Sequence, residues 1–519
     1  MASDRLRLLA LALTLTACDG AAPEDVDGGA RDASEALADA ASPDAGRVDE
    51  DAGRPPAPTS VSVRVVPNTE ASGVERVSFA LPLAPGALSD ASRVVVRSGA
   101  EELAASRLGL ARWPDGSLRS VRIQVELPAS EAELTIEVGA APGTAELDAA
   151  PVADTLQGDE PRVWVLVPPT WLASSGVLGP LVAESELAPE LGGAWDGVCD
   201  YERHDTDAFL PGSDSRAVWL FDRVTAMYRG HARTGARSPL RSAYREATLY
   251  REGISETDGS VRIGVPGAER DLKYHYTQGM ALHYLLTGDE RYREAVEAVA
   301  DRVAEMWTSP GYAGGSDFWT ERHAGFALLA YVWAAIVSDD RAEDYVRLAE
   351  ASVDAYLDIQ ATYPEGYGDP DARCFAHHAD AHGEGYGYFG CSPWMSAILA
   401  DGLHAYAALR GGAEAERVHA SLVQLGRIVA RDGRDASGKP FYFMGVGTDE
   451  DEPDRYDEHW GESAYLVAMA WHLDGREDAS LRAVALELLE GLRAQGRAPH
   501  VRSFNWQCRS AVATPYFLR

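Results

Sequence analysis

Four short segments gather the residue types that acid/base chemistry on a sugar needs: Tyr274-His275-Tyr276, Asp317 to His323, His377 to Tyr388, and Arg455 to Glu462. Six of the 13 histidines lie in them, each near a tyrosine or tryptophan. Imidazole and phenol cover the proton-transfer range that elimination requires, and aromatic faces stack on sugar rings. Elimination from a uronate needs a group that neutralises the carboxylate, a base for the proton beside it, and an acid for the leaving oxygen. Arg322 with His323 suits the first role, His275 or His382 the second, and Tyr276 or Tyr386 the third. His459 is a further catalytic candidate, and Trp319, Tyr274, Tyr388, Trp460 and Glu321 are candidate substrate contacts. Asp317, Glu321, Asp380, Glu384, Asp457, Glu458 and Glu462 offer the alternative of glycoside hydrolysis, in which carboxylate separation sets the stereochemistry.

Structural roles compete for the same residues. His275 at a helix start can cap or bond a neighbouring loop. Glu321 followed by Arg322 suits a helix-start charge pair. His459-Trp460 can pack as an N-terminal staple. The His377-His378-x-Asp380-x-His382 order fits no single helix face, and its glycines make it a loop. No cofactor is expected, although such a loop can converge on a divalent metal such as calcium.

The elements that must position these groups change character near Ser215, where the apolar period becomes helical. The pattern predicts helices at Ala217 to Thr234, Arg241 to Gly253, Tyr274 to Thr287, Glu290 to Trp307 and Glu321 to Val337. It predicts five more at Ala342 to Ala361, Pro393 to Leu409, Glu414 to Arg431, His459 to Leu473 and Ala479 to Gln495. Turns such as Thr287-Gly288-Asp289 separate partners, with glycine as the C-cap. Ten helices in antiparallel pairs suit an α/α toroid, with a solenoid as the alternative. Upstream, Val61, Val63 and Val65, and then Val121, Ile123 and Val125, alternate as in half-buried strands. Between them, Trp113-Pro114-Asp115-Gly116-Ser117 carries a tight-turn signal.

The N-terminus reads as an address. Arg5 and Arg7 precede an apolar run from Leu8 to Leu15, and Leu15-Thr16-Ala17-Cys18 resembles a bacterial lipobox with lipidation at Cys18. Residues 19–58 are rich in Ala, Asp, Glu, Gly and Pro and read as a disordered acidic tether. The remaining Cys199, Cys374, Cys391 and Cys508 allow up to two disulfides in three pairings. Cys374 with Cys391, which bracket the histidine- and glycine-rich loop, is the first candidate. A net charge of −34 over 519 residues argues against a sequence-independent nucleic-acid binder.

Phe79 to Leu88, together with Ala111 to Ser117 and Arg119, resembles the N-terminal barrel of the exo-rhamnogalacturonan lyase (YetA-like) family. The resemblance runs over about Val61 to Gly139 and implies a RIFT-type β-barrel as an accessory domain. More loosely, His275 to Met280 followed by His283 to Asp289 resembles helices of α/α-toroid lyases and glycosidases. The resulting fold class is multidomain β plus all-α, with a small N-terminal β-barrel followed by an (α/α) toroid. The expected organisation is a lipoprotein signal peptide at 1–18, the tether at 19–58, the barrel at 59–152, a linker with a strand at 153–214 and the toroid at 215–519. The expected activity is that of a cell-envelope lipoprotein, exported and lipid-anchored, acting on a uronate-containing polysaccharide by β-elimination. Hydrolysis and non-catalytic glycan binding are the alternatives. The expected partners are the polysaccharide and, through the lipid anchor, a membrane.

Overall fold

The computed structural model describes residues 59–193, 195, 197–215, 219–308, 320–378, 387–498 and 500–519. Cys18 and the tether lie outside them. Within the compact unit Ala57–Arg519, the chain opens with strands β1 (Ser60–Pro67), β2 (Val74–Pro82), β3 (Val94–Ser98), β4 (Glu101–Leu103), β5 (Ala105–Arg112), β6 (Leu118–Pro128) and β7 (Ala132–Val138). A short hairpin, β8 (Leu156–Gln157) and β9 (Glu160–Pro161), leads to β10 (Val163–Leu166). Two larger sheets result, ordered β10-β1-β7-β3-β4 and β2-β6-β5. Val63 opposes Leu134 in one and Phe79 opposes Ile123 in the other, and all four are buried.

The expected closed barrel is not what forms among the described residues. The two sheets remain separate ladders. The Arg107 guanidinium donates to the carbonyls of Val94 (2.5 Å) and Ala105 (2.7 Å), a side-chain link between β3 and β5. The Trp113 to Ser117 turn is a stitch rather than a site. The Trp113 indole donates to the Leu83 carbonyl (2.9 Å), Ser117 Oγ accepts from the Gly86 amide (2.8 Å), and Arg119 lies 3.8 Å above the Trp113 ring. The turn and the Leu83 to Leu88 loop are therefore one contact unit.

Helices α1 (Pro169–Ser175) and α2 (Thr206–Phe209) lead into five hairpins. These are α3 (Arg223–Thr234) with α4 (Arg237–Glu252), α5 (Gln278–Thr287) with α6 (Glu290–Met306), α7 (Glu321–Val337) with α8 (Ala342–Thr362), α9 (Pro393–Arg410) with α10 (Gly412–Asp432), and α11 (Trp460–Leu473) with α12 (Ala479–Gln495). A further helix, α13 (Val501–Arg509), and a short α14 (Thr514–Phe517) follow. The first of each pair is buried nearly all round, and every residue of α7 except Arg322 is buried. The partner helices bury only one stripe, as in α6 and α12. This difference sorts the helices into an inner and an outer layer. Each inner helix touches the next in the order α3, α5, α7, α9, α11, α13, and α13 touches α3, so the inner layer closes as a ring. The predicted C-cap at Gly288 has φ +76° and its amide bonds the Tyr284 carbonyl (2.7 Å).

The closing helix α13 falls in a region for which the periodicity predicts no helix. It is held by the Cys199–Cys508 disulfide, while Cys374–Cys391 forms the other bridge. Its last residue, Arg509, donates to Asp401 of α9 (2.8 Å) and to Gln278 of α5 (2.7 Å). Tyr465 of α11 donates to the same carboxylate (2.6 Å), Arg229 of α3 lies 3.5 Å from it, and Phe326 of α7 packs under the Arg509 guanidinium. Burial opposes ionisation of Asp401, but Arg229 and Arg509 outweigh it and hold the carboxyl below its usual range. Replacing Asp401 by Asn should cost about 3–5 kcal/mol, because two buried guanidiniums lose their counter-charge. A urea midpoint equal to that of the unmodified chain would show that the ring does not depend on this carboxylate.

Candidate functional site

The inner helices begin at one end of the ring, and there the connections between hairpins add a small sheet. Strands β11 (His377–His378), β12 (Phe389–Cys391), β13 (Phe441–Gly445) and β14 (Asp451–Pro453) pair in that order. The sequence reading treats His377 to Tyr388 as loop throughout, because two- and three-residue strands leave no periodic signal. Glu321 anchors this layer. Its fully buried carboxylate accepts the Ser392 amide (2.9 Å) and lies 3.0 Å from Nδ1 of His377, joining the starts of α7 and α9 to β11.

Several candidate residues prove to be framework. His275 is fully buried, bonds the Asp271 carbonyl through Nδ1 (3.0 Å), and is pushed down to a pKa of about 4 by burial. The Tyr276 hydroxyl donates to the Trp219 carbonyl (2.7 Å) and accepts from the Phe221 amide (3.0 Å). Tyr274 is buried, and its carbonyl accepts from the Tyr250 hydroxyl (2.6 Å). Leu272–Tyr274 form one 3-10 turn just before α5, and the side chains of Tyr274, His275 and Tyr276 are all buried in the packing. His323 also turns inward, with Nδ1 2.7 Å from the Thr320 hydroxyl. Glu321 is a clasp rather than a substrate contact. Trp460 packs on Gly491 of α12 and bonds Asp457, so it joins inner and outer helices. Tyr388 is half-buried against Phe443. Trp319, His382 and Tyr386 lie outside the described residues.

Of the candidates, His459 and Arg322 do come together, around residues that the sequence reading does not select. The His459 ring lies parallel to Trp394 (centroids 4.9 Å, 8° between planes) and 5.0 Å from Trp506. Arg322 stands 5.7 Å from the Trp394 ring on another side, and Tyr442 lies 5.6 Å away. Phe221 completes the wall, 4.7 Å from Trp506. Its φ of +73° is one that bulky residues rarely adopt, and such strain persists only where surrounding packing imposes it.

Beside these rings sits Glu462, whose Oε1 is 3.8 Å from His459 Nδ1, too far for a hydrogen bond. Both of its carboxyl oxygens, both ring nitrogens of His459, the indole N–H groups of Trp394 and Trp506, and the hydroxyls of Ser392, Ser396 and Ser463 are buried with no hydrogen-bond partner among the described residues. Folded proteins leave few such atoms, and a concentration of them marks a place built for polar contacts from elsewhere. Burial raises the pKa of Glu462, which favours the protonated acid. A carboxyl whose pKa is raised under aromatic walls is better placed to donate a proton to a leaving oxygen. Among the described residues, no three or more His, Cys, Asp or Glu side chains are grouped to hold a metal ion. Glu462 was legible only as one of seven carboxylates, and Trp506 lies in the unpredicted α13.

The buried histidines make a prediction about pH. Burial holds His275 down to about 4 and His283 to about 3, whereas an unfolded imidazole titrates near 6.5. The unfolded chain therefore takes up protons first as the pH falls. Stability should be complete above about 6.5 and decline towards 4. The urea midpoint should fall between pH 7 and pH 5, and His275→Asn should flatten part of that slope; equal slopes would refute the assignment.

No family model matches the chain, and no curated protein matches it. Among solved structures, a glycosyl hydrolase family 88 protein from Bacteroides vulgatus is similar over 65% of this chain and 100% of that one, at 11% identity and a TM-score of 0.41. The likeness is too distant to carry residues or activity across.

Proposed function

We propose that this chain is a carbohydrate-active enzyme that cleaves a glycosidic bond in a uronate-containing polysaccharide at the starts of α7, α9, α11 and α13. The observation that carries the reading is the cluster of unpartnered buried polar atoms around Glu462, His459, Trp394 and Trp506. Sugars supply both the apolar ring faces and the hydroxyl donors and acceptors that such a cluster leaves unanswered. Hydrolysis is the favoured reaction. Glu462 delivers its proton to the glycosidic oxygen as the bond to the anomeric carbon breaks; water then bonds to that carbon and its proton returns to Glu462. Elimination is the second reading, favoured by Arg322 and His459 both lying against Trp394: the guanidinium pairs with the uronate carboxylate, the imidazole removes the neighbouring proton, a C=C bond forms, and the glycosidic C–O bond breaks with its oxygen taking a proton from Glu462. The chain is further proposed to be exported and lipid-anchored at Cys18. The two disulfides support an oxidising compartment, where such bonds persist.

Incubation of the purified chain with polygalacturonate and other uronate polysaccharides separates the readings. New reducing ends without ultraviolet absorbance indicate hydrolysis, an absorbance rise from an unsaturated uronate indicates elimination, and neither product refutes the enzymatic proposal. In the hydrolytic case Glu462→Gln should lower kcat by about 10²- to 10⁴-fold. Activity should persist below the pKa of Glu462 and fall as the pH rises through it. The same substitution should leave the fold intact and grow relatively more stable than the unmodified chain as the pH rises above the ordinary glutamate range, because a buried glutamine has no proton to lose.

A further inference from the structure

We infer that Tyr456 is an outer sugar-binding platform, so that the site takes at least one sugar ring beyond the bond it cleaves; this rests on the glycan-processing reading above. The aromatic wall does not stop at the buried rings. From Trp394 it continues to half-buried Tyr442 (5.6 Å) and then to Tyr456 (6.2 Å), which is 53% exposed. The rings thus form a chain of contacts from buried Trp394 to solvent-exposed Tyr456.

Tyr456 is held rather than merely exposed. The Arg502 guanidinium lies 4.6 Å over its ring and is itself fixed by Glu458 (2.7 Å). Buried Asp454 accepts the backbone amides of Tyr456 (3.0 Å), Glu458 (2.8 Å) and His459 (3.2 Å). One carboxylate therefore sets Tyr456 outward and His459 inward. Between them Asp457 takes φ +54°, held by Trp460 (3.0 Å), Lys439 (3.3 Å) and Gln495 (2.8 Å). A turn tied down at this many points presents a rigid ring, and a rigid ring loses little entropy when a sugar stacks on it.

The test titrates the full chain with galacturonate and with tetragalacturonate, following tryptophan fluorescence. Tyr456→Ala should weaken tetragalacturonate binding about fivefold to tenfold and leave galacturonate unchanged, with Tyr456→Phe matching the unmodified chain. Binding of both sugars with no effect of Tyr456→Ala would overturn the platform alone, as would an equal loss for both. If the unmodified chain binds neither sugar, the glycan reading falls and the platform with it.

Discussion

One buried carboxylate, Asp401, is where the inner ring of helices meets. Arg229, Tyr465 and Arg509 reach it from three other helices, Gln278 joins from a fourth through Arg509, and Phe326 of the remaining inner helix packs against that guanidinium. Charges this deep are costly unless paired and bonded on every side, and here the compensation is shared among helices far apart in sequence. Packing of apolar faces alone would tolerate several rotations of each helix. A directional polar hub leaves one rotation in which all the bonds are made, and that rotation also decides which residues line the neighbouring cavity, where Arg509 meets Trp394, Trp506 and Glu462.

The candidate site shows the converse arrangement. At the hub the guanidiniums of Arg229 and Arg509 share the one carboxylate of Asp401. Around Glu462 and His459, at the helix starts, buried polar atoms are left without partners among the described residues. The Ser392 backbone amide is committed to Glu321, so the start of α9 is rigid while its hydroxyl stays unbonded. The Cys374–Cys391 bridge joins the segments on which His377 and Trp394 lie, one ahead of β11 and the other at the start of α9. Rigid backbone with uncommitted side-chain polarity is the condition for pre-organised binding, since the desolvation cost has already been met on folding.

Much of the secondary structure could be read directly. The spans Glu321–Val337 and Ala479–Gln495 coincide with their predicted limits, because buried and amphipathic helices carry their period in the local residue order. The site was less legible. Clustering of His, Tyr and Arg in sequence pointed to the end of the ring where the inner helices start, and His459 and Arg322 are there. It also pointed to His275 and Tyr276, which adjoin a helix start but turn into the packing. Sequence proximity to a helix start does not specify which way a side chain faces.

Local order therefore determined the helices, their pairing through short glycine-capped turns, and the strands that precede them. These follow from hydrophobic period and backbone preference over a few residues. Tertiary structure alone decided that α13 closes the ring, that the strands form two separate sheets, and that Trp394, Trp506 and Glu462 meet around His459. Each of these depends on contacts between residues tens to hundreds of positions apart, formed only when burial and hydrogen bonding are satisfied together.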